Sequence, residues 1–87
     1  MYWVYVLHHD ETREMYIGKT SDLKRRLQEH NQGGQSATRR HTGNWHIMYA
    51  EMYRAKRDAD DREMKLKQHG SNKRWLLDRI KHSLLED

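Results

Sequence analysis

Met15-Tyr16-Ile17-Gly18-Lys19-Thr20-Ser21-Asp22-Leu23-Lys24-Arg25-Arg26-Leu27-Gln28-Glu29-His30 is the stretch around which the chain can be placed. Its first part has the short, β-prone composition of a strand, Gly18 opens a tight turn, and Thr20 or Ser21 is suited to cap a basic helix running to about His30. Asp22 then falls in the first turn, where a carboxylate suits the positive end of the helix dipole. At about 100° per residue, Leu23, Leu27 and His30 share one face of that helix, Arg26 borders it and Arg25 points away.

Upstream, Tyr2 to Leu7 alternates aromatic and aliphatic residues. Trp3, Tyr5 and Leu7 fall on one side of a strand, and Tyr2, Val4 and Val6 on the other. With both faces apolar, this strand is expected in the centre of a sheet. The polar segment from His8 to Arg13 then reads as the turn of a hairpin whose second strand spans Glu14 to Gly18.

Downstream, residues 31–44 are rich in Gly, polar and basic residues without periodicity, which predicts a long loop. Loops of that length in small domains are commonly functional, and Arg39, Arg40 and His41 are candidates to meet phosphates. Trp45 to Met52 predicts a third strand with Trp45, Ile47 and Tyr49 on one side. Arg54 to Gln68 predicts a helix with Ala55, Ala59 and Leu66 on its buried stripe and Gly70 at its end. Ser71 or Asn72 then caps a last helix whose apolar face is Leu76, Leu77, Ile80 and Leu84. The expected fold class is α/β (α+β), a small three-stranded sheet in the order β-β-α-loop-β-α-α.

With 87 residues, the chain has room for one domain, expected to span 1–87, and one modest core. The formal charge of +4 favours a polyanionic partner. Cysteine is absent, which removes disulfides, thiolate metal sites and a thiol nucleophile. Met1 to Leu7 lacks the length and leading basic residue of a signal peptide, and no apolar run approaches the roughly 20 residues of a membrane span. The expected location is therefore cytoplasmic, with no membrane partner. The seven His show no helical pair with a third ligand, so zinc is not expected.

Trp3-Val4-Tyr5, the Tyr16-Ile17-Gly18 triad eleven residues beyond Tyr5, and Asp22-Leu23-Lys24-Arg25-Arg26 followed by His30 together resemble the GIY-YIG nuclease superfamily. Trp3 stands where the first triad of that family has Gly. Trp45 to Glu51, Arg62-Glu63-Met64-Lys65-Leu66-Lys67 and the closing Leu/Ile helix are similar to the small single-domain members. The resemblance implies a divalent-metal-dependent DNA endonuclease, with a place in DNA repair or recombination, using Mg²⁺ or Mn²⁺. Tyr5 would deprotonate the attacking water, with Tyr16 positioning that water or exchanging roles with Tyr5. A phenol serves as a base only where positive charge lowers its pKa, and Lys19, Arg26 and the metal are the expected sources.

Arg26 would stabilise charge developing on the phosphate, and His30 would orient a water or hold the phosphate. Helical angles narrow the metal ligand to Glu63 or Asp58, with Asp60 and Asp61 further round and solvated. The resemblance selects Glu63. Lys19, Ser36, Arg39 and Arg40 are the expected DNA and phosphate contacts, and Asn72 reads as a cap rather than a site residue. A rival reading keeps the fold as a non-catalytic nucleic-acid-binding module, because the first triad is substituted. Under the nuclease reading, DNA preference would come from outside the domain, including a protein partner, and a nuclease acting on both strands would be served by a dimer.

Overall fold

The computed structural model describes residues 1–34, 38, 41–68 and 71–85, with residues 71–73 and 85 described by backbone alone. Ser36, Arg39, Arg40, Gly70 and the Asn72 side chain lie outside the described residues. The elements are β1 (Tyr2–His9), β2 (Met15–Thr20), α1 (Leu23–Asn31), β3 (Trp45–Tyr53), α2 (Lys56–Lys67), α3 (Ser71–Arg79) and α4 (Lys81–Leu85). The sheet has the order β2-β1-β3 with both pairings antiparallel, so the strand with two apolar faces is central as its pattern requires.

The two faces of β1 feed separate cores. Val4 and Val6 pack with Ala59, Leu66, Leu76 and Ile80 on the side covered by α2 and α3. Tyr5 and Leu7 pack with Trp45 on the opposite side, where Leu23 and Leu27 of α1 close over them. These buried rows supply most of the transfer free energy of a chain that is one-third charged.

Local chemistry moves several boundaries. Strand β1 continues through His8 and His9, both buried, because the His9 imidazole works inside the hairpin turn. Its Nδ1 accepts from the backbone N–H groups of Glu11 and Thr12, each at 3.2 Å, and Arg13 takes a left-handed φ of 65° to close the loop. The helix cap is Asp22, not Thr20 or Ser21: Asp22 Oδ1 accepts from the Arg25 backbone N–H at 3.1 Å. Thr20 Oγ1 in turn accepts from the Asp22 N–H at 3.0 Å.

Strand β3 departs from simple alternation. Its register to β1 slips between Val6↔Tyr49 and Leu7↔Ile47, so Met48 is an extra residue forming a bulge. The slip sends Tyr49 to the α2 side while Trp45 stays on the α1 side, which overturns the expectation that Trp45 and Tyr49 share a face. Helix α2 begins two residues later than predicted, with exposed Ala55 as its cap, and ends at Lys67. The predicted last helix is divided into α3 and α4 at Ile80, although N–H to C=O bonds from Ile80 to Leu76 and from Leu84 to Ile80 carry the helical path across the break.

Candidate active site

Register decides what Tyr5 faces. Its cross-strand partner is Gly18, whereas Tyr16 pairs with Leu7 and reaches Tyr5 diagonally on the same face. The two rings lie 6.3 Å apart between centroids, tilted by 43°. A Cβ placed at residue 18 would sit 2.6 Å from Tyr5 Cζ and 2.8 Å from Tyr16 Cε2. Gly18 is thus the floor over which the Tyr5 phenol lies, and any side chain there would displace it.

His30 completes the group from α1. It is fully buried, with its ring 4.8 Å from that of Tyr16 and 5.9 Å from that of Tyr5. Its Nε2 is 3.0 Å from the Tyr5 hydroxyl, and its Nδ1 is 2.7 Å from Thr38 Oγ1. Burial, reinforced by the Arg26 guanidinium, holds the imidazole pKa below its usual value, so His30 is neutral near pH 7. The ring expected to orient a water or hold the phosphate is thus enclosed and engaged at both nitrogens.

The Tyr5 hydroxyl is pushed well above the normal phenol range. Burial is the chief cause and Tyr16 adds to it; Arg26 pulls the other way, while Glu63 and Glu29 raise it further. The expected lowering by Arg26 is therefore outweighed, that by Lys19 does not figure among the influences on the hydroxyl, and Tyr5 rests protonated. Arg26 is half-buried at the border of α1, with its Nε 3.2 Å from Glu29 Oε1, whereas Arg25 is 73% exposed. The choice of Arg26 over Arg25 follows the helical angle.

Glu63 belongs to α2, whose apolar stripe packs on the Val4/Val6 side of the sheet, but its charge acts on Tyr5 and on Lys19. Its carboxylate is paired with Lys67 at 3.3 Å, and Lys67 also lies over the Tyr16 ring at 5.8 Å. Lys19 forms an ion pair with Asp60, which also meets Lys56 at 3.3 Å. That hydrogen bond raises the Lys19 pKa and lowers that of Asp60. Asp60 is therefore not simply solvated, as its helical angle had predicted. The angle was measured from the buried stripe alone and did not anticipate a lysine rising from β2.

Among the described residues, no group of three or more His, Cys, Asp or Glu gathers as a metal cage. A single partly exposed carboxylate is nevertheless a donor set that suits a hard cation sharing its remaining positions with water and phosphate oxygens, as Mg²⁺ commonly does. Glu63 fits that requirement, with Lys67 as the counter-ion a cation would replace.

The second polar cluster lies on the α2 face. Glu51 accepts from Tyr49 at 2.6 Å, from Tyr53 at 2.7 Å, and from Arg62 through Nε at 2.8 Å and a terminal nitrogen at 3.1 Å. Burial alone would raise the Glu51 pKa, but these hydrogen bonds outweigh it and hold the carboxyl below the usual range. The Tyr53 hydroxyl is pushed up to about 12 by burial and by its bond to Glu51. Trp75 of α3 then covers the Arg62 guanidinium at 4.5 Å. This network ties β3, α2 and α3 together, and sequence reasoning gave Glu51 no such role.

Residues 1–75 match the family profile of the GIY-YIG catalytic domain. The chain belongs to the GIY-YIG family. Domains of this family are typically nucleases and are generally dependent on divalent metal, with DNA as the implied substrate. A solution NMR structure of the UPF0213 protein BH0048 from Bacillus halodurans has a similar fold, with a TM-score of 0.55 and 24% identity over 98% of this chain and 94% of that one. No curated protein sequence matches the chain. Among the described residues, no helix is long and apolar enough to cross a membrane.

Proposed function

We propose that this GIY-YIG chain is a divalent-metal-dependent DNA endonuclease acting as one domain over residues 1–87, in DNA repair or recombination, in the cytoplasm. The observation that carries the reading is the Tyr5 hydroxyl, laid over Gly18 beside Tyr16 and hydrogen-bonded to the neutral imidazole of His30. A buried phenol with a strongly held proton is a poor base alone, but an acceptor already in hydrogen-bond contact gives that proton somewhere to go.

In this mechanism the attacking water gives a proton to the Tyr5 oxygen as the Tyr5 O–H proton passes to His30 Nε2, so no free phenolate forms. The resulting hydroxide adds in line to phosphorus, and His30 releases its proton to solvent as the products leave. Tyr16 positions the water, and Arg26 stabilises the charge on the phosphoryl oxygens. The P–O3′ bond breaks, and the 3′-oxygen takes a proton from solvent, leaving a 5′-phosphate and a 3′-hydroxyl. Glu63 would hold Mg²⁺ or Mn²⁺. A cation there would polarise the phosphate and supply positive field opposing the high proton affinity of Tyr5. Lys19, Ser36, Arg39 and Arg40 are assigned to the DNA backbone, contacts that fix the protein's position on the duplex without reading sequence.

Nicking of supercoiled plasmid with and without Mg²⁺ or Mn²⁺ tests the reading. Glu63→Ala and Arg26→Ala should abolish metal-dependent nicking while the circular dichroism spectrum is unchanged. Unaltered cleavage in both variants would end this assignment, and salt-sensitive DNA binding with no cleavage by the wild type would favour a non-catalytic binding module.

A further inference from the structure

We propose that Thr38 is a positioning residue that holds His30 in its Nδ1–H tautomer, leaving the Nε2 lone pair to receive the Tyr5 proton. Two tautomers of a neutral imidazole are compatible with contacts at both nitrogens. In one, Nδ1–H donates to Thr38 Oγ1 and Nε2 accepts from Tyr5. In the other, Nε2–H donates to the Tyr5 oxygen and the Thr38 hydroxyl donates to Nδ1.

Proton accounting separates them. Tyr5 is 2% exposed, and among the described residues His30 Nε2 is the hydrogen-bond partner of its hydroxyl. If Nε2 carried the proton, the buried Tyr5 O–H would have no acceptor among the described residues, a substantial penalty for a desolvated hydroxyl. The Nδ1–H tautomer satisfies both groups, with Thr38 Oγ1 accepting at 2.7 Å.

Thr38 is suited to the task because its backbone is anchored. It is 3% exposed, its C=O accepts from the His41 N–H at 3.2 Å, and the His41 C=O accepts from Trp45 Nε1–H at 2.7 Å. Trp45 is itself fixed to the end of α1: Asn31 Oδ1 accepts from its backbone N–H at 2.9 Å, and Asn31 Nδ2 donates to its C=O at 3.1 Å. The residue that sets the imidazole proton is thus linked through His41 to the start of β3.

The catalytic consequence rests on the nuclease reading, whereas the tautomer does not. Long-range ¹H–¹⁵N correlation spectra of wild-type protein with labelled histidine, without DNA or metal, should show His30 dominated by Nδ1–H. Thr38→Val should shift His30 toward Nε2–H or a mixture of the two, and Thr38→Ser should restore the wild-type pattern. Under the nuclease reading, Thr38→Val should lower the nicking rate roughly 10-fold, a fraction of what acid–base catalysis contributes, with recovery in Thr38→Ser. A dominant Nε2–H form in the wild type, or a tautomer unchanged in Thr38→Val, would overturn the assignment. Should the protein cut no DNA, the spectra still decide it.

Discussion

On one face of the sheet Tyr5 shares its hydroxyl proton with the neutral His30, whereas on the other Tyr49 and Tyr53 both donate to the Glu51 carboxylate, which Arg62 also grips through two nitrogens. Tyrosines of the same small sheet therefore have opposite prospects. A carboxylate in four charge-assisted or phenolic bonds lies below its usual pKa and has little reason to take a proton, so the α2-face cluster is locked. The imidazole beside Tyr5 meets the phenol through Nε2 and, among the described residues, bonds no carboxylate, so under the proposed mechanism the α1-face cluster can move a proton. The partner of the phenol, more than its burial, separates a strut from a reactive group.

The largest effect should come from deleting one hydroxyl on each side. Tyr5→Phe should lower metal-dependent nicking by about 10³-fold, within the range acid–base groups contribute, at a stability cost of only about 1 kcal/mol. Tyr53→Phe should do the reverse, leaving the cleavage rate near wild type while costing about 2 kcal/mol, the value of a hydrogen bond to a charged group. Parallel plasmid-nicking rates and urea midpoints check both. Equal loss of cleavage in the two variants would erase the distinction.

Next in size is the locked cluster itself. Arg62→Met leaves the half-buried Glu51 carboxylate with two phenols to meet it and removes two hydrogen bonds to a charged group, and should cost about 3 kcal/mol in urea unfolding. Acid should attack the same point. Because the folded Glu51 carboxyl is held below its ordinary value of 4.5, the unfolded chain binds that proton first. The stabilisation is therefore full above about pH 4.5 and is lost as pH falls through the folded value. His30 contributes in the same direction from a higher starting point, since its lowered pKa makes its stabilisation full above 6.5 and lost below it. Arg62→Met should show a shallower acid transition than wild type in the carboxylate range; an identical one would remove Glu51 as its source.

Sequence periodicity was enough to place Tyr5 and Leu7 opposite Val4 and Val6, and to separate Arg26 from Arg25, because both follow from the repeat of a single element. What escaped it depends on how elements meet. The bulge at Met48 is a mismatch between two strands and leaves no mark in the alternation of either, yet it carries Tyr49 to the face of Arg62. Thr38 lies in a stretch with no period, and its contact with His30 depends on the imidazole that α1 brings to it. Asp60 was placed with solvated carboxylates because helical angle records distance from the core stripe and says nothing of a cation on the neighbouring strand.

That pairing supports the smallest and most discriminating prediction. Lys19 is assigned to the DNA backbone, but its ammonium is engaged by Asp60, so binding a phosphate through Lys19 must compete with that carboxylate. The pair is partly exposed, and such pairs contribute about 0–1 kcal/mol to folding, so removing the carboxylate should scarcely alter the urea midpoint. Asp60→Asn should instead free the ammonium, tighten DNA binding a few-fold and steepen the dependence of log K on log salt by about one phosphate contact. Fluorescence anisotropy of labelled duplex DNA across a salt series, in Ca²⁺ to suppress cleavage, measures both. If Lys19 served only to tie β2 to α2, the same substitution would weaken folding and leave the salt slope where it was. A loss of affinity instead would mean that Asp60 holds Lys19 in the posture the DNA needs, placing the carboxylate on the binding side of the comparison between poised and locked groups.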